Sequence, residues 1–170
     1  QQLQFKNYKV EDGLISNETH AILQDSKDRI WISSIGGVSC FNGKTFKNYT
    51  TENGLTSNIS FSLFEDSKER IWVGTLNKGV CVIENEKVAL TKTFETNFLG
   101  SANSFLEAKD GTIYIVFARG IASYKNGKWE KLDINYDVTN NATLLKSAWY
   151  DDNTIYITST THGVFKLSLD

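Results

Sequence analysis

The stretch DGLISNETHAILQDSKDRIWISSIGGVSCFNGKTFKNY, residues 12–49, is followed by a second copy of most of itself. That copy, NGLTSNISFSLFEDSKERIWVGTLNKGVCVI, covers residues 53–83. Trp72 follows Trp31 by 41 residues, and the tetrapeptide FKNY of residues 5–8 also recurs 41 residues later. A fixed period of this length is typical of propellers and other repeat architectures. The repeat therefore decides the fold.

Two fainter copies follow in phase. The tripeptide IWV at residues 71–73 returns as IYI at residues 113–115 and again at residues 155–157. A glycine followed by Val or Ile recurs after each of these segments, at Gly37, Gly79, Gly120 and Gly163. The pattern predicts four repeats, covering residues 9–50, 51–92, 93–133 and 134–170, with residues 3–8 forming an outer strand ahead of the first.

Each repeat reads as a meander of short antiparallel strands. In the first, apolar segments are separated by the polar loop SKDR at residues 26–29, by Gly36-Gly37 and by Asn42-Gly43, a strong hairpin signal. No helical periodicity is present, and the absence of proline suits closely paired strands. We predict an all-β propeller of about four blades of four-stranded antiparallel meanders, in which the fourth blade lacks its outer strand.

The bulk properties exclude several classes of protein. A net charge of −2 over 170 residues and a pI near 5.7 argue against a nucleic-acid binder. No apolar run approaches the roughly 18 residues of a membrane span, so membrane contact is expected only through parts outside this sequence. The sequence does not begin with Met, which predicts a trimmed N-terminus.

The cysteines and acidic residues indicate neither a disulfide nor a metal site. When the repeats are aligned on Gly37 and Gly79, Cys40 and Cys81 fall one residue out of phase, so their side chains should point to opposite faces. We predict two buried free thiols. The acidic residues of the loop at residues 25–28 are too few and too mixed with basic ones for calcium. No metal and no cofactor are expected.

The motifs of the first two copies resemble the two-component regulator propeller repeat. The resemblance rests on GLISN at residues 13–17, DSKDRIWI at residues 25–32 and FNGKTFKNY at residues 41–49, with the second copy matching through Thr75. Such repeats make up the extracytoplasmic sensor region of hybrid two-component regulators, notably those with which gut bacteria of the Bacteroides type detect glycan breakdown products. The resemblance is specific over residues 4–83 and weaker afterwards.

What the resemblance implies is a periplasmic segment that senses a ligand, expected to be an oligosaccharide. In the full protein it would be joined to an inner-membrane helix, a histidine kinase with its phosphorelay, and a DNA-binding regulator. The family's arrays contain more than four blades, which implies a segment of a larger propeller. The segment itself is expected to have no catalytic residues.

One turn position suggests a binding site. The residue before the recurring turn glycine is Gly36, then Lys78, Arg119 and His162. Propeller geometry places these turns at one end, so the three side chains would line a rim suited to an acidic oligosaccharide. Turn positions also tolerate long polar side chains, and the pattern can arise without any binding function.

Other interpretations remain open at this stage. Trp31 and Trp72 could stack on sugars, but their replacement by Tyr at the same repeat position favours packing between blades. The chain could be purely structural, mediating dimerisation or relaying a signal. It could also be a propeller lyase or hydrolase with dispersed catalytic residues. The N-terminal strand could complete the fourth blade and close a four-bladed ring. Because the family's rings are larger, we expect instead an open arc that self-associates through exposed flanks bearing residues such as Ile22, Ile32, Ile157 and Phe165.

Overall fold

The computed structural model describes residues 3–92, 100–134 and 143–169, which form four antiparallel sheets. Sheet 1 contains β1 (Thr19–Gln24), β2 (Ile30–Ser34), β3 (Val38–Phe41) and β4 (Phe46–Tyr49). Sheet 2 contains β5 (Ser60–Glu65), β6 (Ile71–Thr75), β7 (Val80–Glu84) and β8 (Lys87–Lys92). Sheet 3 contains β9 (Ala102–Glu107), β10 (Ile113–Phe117), β11 (Gly120–Lys125) and β12 (Lys128–Lys131). Sheet 4 has three strands, β13 (Leu144–Asp151), β14 (Thr154–Ser159) and β15 (Val164–Ser168).

The only helical segments among the described residues are two 3-10 turns, Val10–Asp12 and Thr51–Asn53. Each turn precedes the first strand of a sheet and ends at a glycine with positive φ, Gly13 or Gly54. The prediction of an all-β chain of antiparallel meanders is confirmed, because every sheet connects its strands in chain order.

The four sheets pack face to face in the order of the chain. The first strands of successive sheets contact one another, β1 with β5, β5 with β9, and β9 with β13. Ser62 Oγ, for example, donates a hydrogen bond of 2.7 Å to the carbonyl of Ala102 in the next sheet. Three apolar clusters fill the three interfaces between neighbouring sheets. This radial stacking around the first strands is the arrangement of propeller blades.

Each sheet has two different apolar faces. We call the face toward the next sheet along the chain the forward face, and the opposite one the rear face. Trp31 and Trp72 lie on the forward faces of sheets 1 and 2 and are 1% and 0% exposed. Their neighbours Ile71 and Val73 in β6 point the other way, into the interface with sheet 1, since side chains alternate along a strand. The prediction that both Trp residues are core is confirmed.

The cysteines are buried and unpaired, as predicted. Cys81 accepts the backbone N–H of Thr56 at 3.1 Å, and Ser39 accepts that of Ile15 at the same distance. Ser39 is thus the counterpart of Cys81 in sheet 1, while Cys40 lies on the opposite, forward face. Burial raises the pKa of the Cys40 thiol to about 11.

Two sequence predictions about the edges of the stack are wrong. Residues 3–8 form no strand, and Phe5 is 94% exposed, because sheet 1 already has β4 as its outer strand and no other described edge lies beside this segment. Ile157 and Phe165 do not line an exposed flank, since both pack between sheets 3 and 4. The exposed face of sheet 4 instead carries their alternating neighbours, Tyr156 and Val164.

Candidate binding face

The turns between the second and third strands are joined into one row. In every sheet an N–H of this turn donates to a carbonyl at the start of the first strand of the same sheet. The four bonds are Ile35 to Glu18 at 3.4 Å, Leu76 to Ile59 at 2.9 Å, Ala118 to Ser101 at 2.8 Å and Thr160 to Thr143 at 3.0 Å. Each turn therefore lies at the same end of its own sheet.

Further bonds connect each turn to the following sheet. Ser60 at the start of β5 contacts the first turn, its hydroxyl accepting from Ser34 N at 3.2 Å. Gly79 of the second turn forms a parallel bridge with Ser101, and Leu144 N donates to Ala118 of the third turn at 2.9 Å. All four turns thus lie side by side at one end of the stack, and we call residues 35–37, 76–79, 118–120 and 160–163 the turn row.

Lys78, Arg119 and His162 occupy the last three turns of the row, and all three are exposed. The first turn has Gly36 at the equivalent position. Among the residues that the structure describes, neither Lys78 nor Arg119 forms an ion pair. His162 is held by its neighbours, since its N–H donates to Ser159 Oγ at 2.9 Å and its Nδ1 lies 2.8 Å from Thr161 Oγ1.

The glycine that follows Gly36, Lys78 and His162 fixes the shape of three of the four turns. Gly37 has φ +138°, and a Cβ at this position would collide with the carbonyl oxygen of Tyr49. Gly79 and Gly163 likewise have positive φ, at 83° and 70°. Only glycine adopts such backbone at little cost. These three turns therefore require glycine, whereas Gly120, which follows Arg119, begins β11 and is not among the glycines with positive φ.

Two further ionisable side chains lie near the turn row that the repeat pattern did not indicate. The Lys146 Nζ of β13 donates to the carbonyl of Asn103 at 3.2 Å. His20 of β1 has its Nδ1 2.7 Å from the carbonyl of Ser60 and its Nε2 3.9 Å from Glu18. Neither side chain recurs at its repeat position, so only the strand pairing could have placed them.

At the opposite end of the stack, the carboxylate of Asp25 already accepts hydrogen bonds through both of its oxygens. Asp25 Oδ1 accepts the N–H groups of Lys27 and Arg29 at 3.0 and 2.9 Å. Its Oδ2 accepts Arg29 Nε and Trp31 Nε1, both at 2.7 Å. Burial alone would raise the pKa of Asp25, but the bonds from Trp31 and Arg29 outweigh it and lower that pKa. This loop is the turn that the sequence predicted, and its carboxylate stabilises the loop and the buried Trp31 through hydrogen bonds.

Two negative observations apply to residues 3–92, 100–134 and 143–169. No group of three or more His, Cys, Asp or Glu side chains there is arranged to hold a metal ion. No helix in those ranges is long and apolar enough to cross a membrane.

A family model described as "Domain of unknown function (DUF5074)" matches residues 10–169, nearly the whole sequence. The chain belongs to the DUF5074 family. No curated protein shows significant similarity to this DUF5074 member.

Several solved structures share its fold. One is the extracellular domain described as that of hybrid two-component system BT3049 of B. thetaiotaomicron, with a TM-score of 0.75 and 20% identity over 98% of this chain and 24% of that one. The extracellular domain described as that of hybrid two-component system BT4673 of B. thetaiotaomicron has a TM-score of 0.72 and 20% identity, over 91% of this chain and 23% of that one. Virginiamycin B lyase from Staphylococcus aureus, solved with quinupristin, has a TM-score of 0.67 and 16% identity, over 89% of this chain and 55% of that one.

These likenesses concern the fold, since all identities are below 25%. They confirm the propeller-type architecture and the resemblance to the two-component regulator propeller repeat at that level. The DUF5074 chain spans about a quarter of the length of the two sensor domains.

Proposed function

We propose that the chain is a periplasmic, ligand-sensing propeller segment of a hybrid two-component regulator and that its turn row binds an oligosaccharide. The observation that carries the proposal is the turn row, which presents Lys78, Arg119 and His162 from consecutive turns of one end. The fold shared with extracellular domains of hybrid two-component systems supports it. On this proposal the segment is non-enzymatic, and the full-length inner-membrane protein carries the histidine kinase.

An acidic oligosaccharide, such as a uronate or a sulfated sugar, fits the charges of this end. A guanidinium group binds carboxylate or sulfate in bidentate fashion. Some cations elsewhere in the stack have acidic partners, as in Lys27–Glu69 at 2.8 Å and Lys109–Asp152 at 2.7 Å, while others such as Lys44 and Lys68 form no ion pair among the described residues. The cationic groups of Lys78 and Arg119 have none among the described residues, so they remain available to a ligand.

Calorimetry with neutral and uronate oligosaccharides at two salt concentrations tests the proposal. We expect the acidic ligand to bind more tightly, and more so at low salt, because exposed charges are screened as ionic strength rises. Arg119→Ala should weaken binding about tenfold or more, the usual effect of losing a charge-assisted hydrogen bond. Lys44→Ala, at the exposed turn between β3 and β4, should leave the affinity unchanged. Equal affinity for both sugars, unaffected by Arg119→Ala, would contradict the proposal.

A second candidate function is a structural one, in which these blades mediate dimerisation or relay a signal without binding ligand. The exposed apolar rear face of sheet 1 favours it. In that case no oligosaccharide would bind, while the chain would still self-associate. A lyase or hydrolase gains no support, because the likeness to virginiamycin B lyase concerns the fold alone.

A further inference from the structure

Asn-Gly pairs occur in three turns of the chain, at residues 42–43, 53–54 and 126–127. In such a pair the backbone nitrogen of glycine can attack the side-chain amide of the asparagine before it, because glycine has no Cβ to shield that nitrogen. All three asparagines are exposed to solvent. The three turns differ, however, in how firmly the fold holds the two groups that would react.

The Asn42 amide is held within the turn between β3 and β4. Its Oδ1 accepts the N–H groups of Lys44 and Thr45, both at 2.9 Å. These bonds orient the amide toward the two residues that follow Gly43. The amide must rotate, and both bonds must break, before the nitrogen of Gly43 can attack its carbon.

The Asn53 amide is held in the second 3-10 turn. Its Oδ1 accepts the N–H of Thr50 at 2.9 Å. The nitrogen that would attack is also engaged, since the N–H of Gly54 donates to the carbonyl of Thr51 at 3.1 Å. Here both reacting groups must first lose a partner.

The turn between β11 and β12 leaves the same two groups free. Its residues, Asn126 and Gly127, have φ of 49° and 81°, the left-handed pair typical of a two-residue hairpin. Among the described residues, the Asn126 side chain forms no hydrogen bond and the N–H of Gly127 donates to no backbone carbonyl. A Cβ at Gly127 would meet nothing within 4 Å, so the turn is open to water.

We propose that Asn126 is a site of spontaneous deamidation, with the backbone nitrogen of Gly127 as the nucleophile and water as the co-reactant. The nitrogen gives up its proton to hydroxide and bonds to Cγ of Asn126. The bond from Cγ to Nδ2 then breaks, and Nδ2 takes a proton from water and leaves as ammonia. Water adds to either carbonyl of the resulting cyclic succinimide and opens it to aspartate or isoaspartate.

Isoaspartate would disturb the outer strand of sheet 3. Its main chain runs through the former side chain, so the backbone of the tight turn becomes longer. This turn joins Lys125 to Lys128 and sets the register that places Trp129 opposite Tyr124. Trp129 packs edge-on against the buried Trp72 of sheet 2, with ring centroids 6.0 Å apart. The modification should therefore loosen the packing between sheets 2 and 3.

Peptide mapping by mass spectrometry, on the purified chain kept in mildly alkaline buffer, tests the proposal. Deamidation replaces an amide nitrogen by oxygen, and the mass change of each peptide assigns the site. Because at least two ordinary hydrogen bonds must break first at Asn42 and Asn53, we expect both to react about tenfold more slowly than Asn126. In concentrated urea, where the turns are lost, the three rates should become similar. A folded chain in which Asn42 or Asn53 reacts as fast as Asn126, or Asn126 does not react, overturns the proposal.

Two variants separate the reaction from its effect on the fold. Asn126→Gly suits the same hairpin turn and cannot react, while freshly purified Asn126→Asp carries the new charge on a backbone of normal length. We expect the urea midpoint of the parent chain to fall as isoaspartate accumulates, and that of Asn126→Gly to stay constant. Fresh Asn126→Asp should match the fresh parent. Parent and Asn126→Gly midpoints that fall together would overturn the inferred effect on packing.

Discussion

At the scale of single residues, Trp, Asp and Arg act as one set. Asp66 is buried and accepts hydrogen bonds from Trp72 Nε1 and Arg70 Nε at 2.7 Å, as Asp25 does in sheet 1. Sheet 3 has Tyr114, Ala108 and Thr112 at the three equivalent positions. A buried indole N–H needs an acceptor, and a buried carboxylate needs donors. The set is therefore lost as a whole, which explains why the motif fades abruptly after the second repeat.

Truncating the Trp of this set should be costly. Trp72→Ala removes a fully buried side chain, and we expect the free energy of unfolding to fall by about 3–5 kcal/mol. Tyr156→Ala, at the same repeat position in sheet 4, should cost clearly less because Tyr156 is partly exposed. Urea unfolding measures both. Equal losses would contradict the assignment of Trp72 to the core.

The carboxylate of Asp66 gives a pH dependence whose sign is fixed. Burial would raise its pKa, but hydrogen bonds from Arg70 and Trp72 outweigh this and lower it below the ordinary value. The stabilisation that the Asp66 carboxylate contributes is then complete above about pH 4, the pKa of the group in the unfolded chain. It is lost as the pH falls through the lower pKa of the folded state. Asp66→Asn should be less stable than the parent at pH 7 and should lose less stability between pH 7 and pH 3.

Unfolding midpoints in urea at several pH values measure this effect. Asp28→Asn, an exposed carboxylate in the equivalent loop of sheet 1, should keep the profile of the parent chain. If the Asp66→Asn profile fell as steeply as that of the parent, the hydrogen-bonded carboxylate would not be the source of the acid sensitivity.

At the scale of elements, the tight turns fix how strands and sheets meet. Gly37→Ala would place a Cβ against the carbonyl oxygen of Tyr49 at the end of β4, whereas a Cβ at Gly43 would meet nothing within 4 Å. Both glycines have positive φ, so both variants carry backbone strain. We expect Gly37→Ala to lose about 1–3 kcal/mol more than Gly43→Ala, the cost of the collision. Thermal unfolding compares them, and equal losses would exclude the collision.

Elements were the part of the fold that the sequence predicted well. Turn signals such as Asn42-Gly43 mark the strand ends, and this turn separates β3 from β4. The position of Lys78 and Arg119 in equivalent turns followed from the repeat. The predictions that were wrong depend on contacts between distant parts of the chain, which the local sequence does not specify. The FKNY motif at residues 5–8 has the residues of a strand but no strand beside it, and alternation alone did not tell which face of β14 lies outward.

At the scale of the whole molecule, sheets contact mainly their neighbours, so stability should vary along the stack. β7 is buried along most of its length, while β15 alternates between exposed and half-buried residues. We expect β7 amides to exchange with deuterium far more slowly than those of β15. Mass spectrometry on the purified chain measures this. Equal protection of both strands would indicate a single cooperative unit instead.

The division of every sheet into a forward and a rear face has a consequence for how such chains grow. Each interface joins the same two kinds of surface, so copying or deleting one repeat in the gene leaves all junctions of a familiar type. If sheet 2 were duplicated, its forward face, with Trp72 and Val82, would meet the rear face of the copied sheet. That rear face is of the same kind as the rear face of sheet 3 on which it packs now. The number of blades is then a matter of gene copying, while the conditions for packing stay constant.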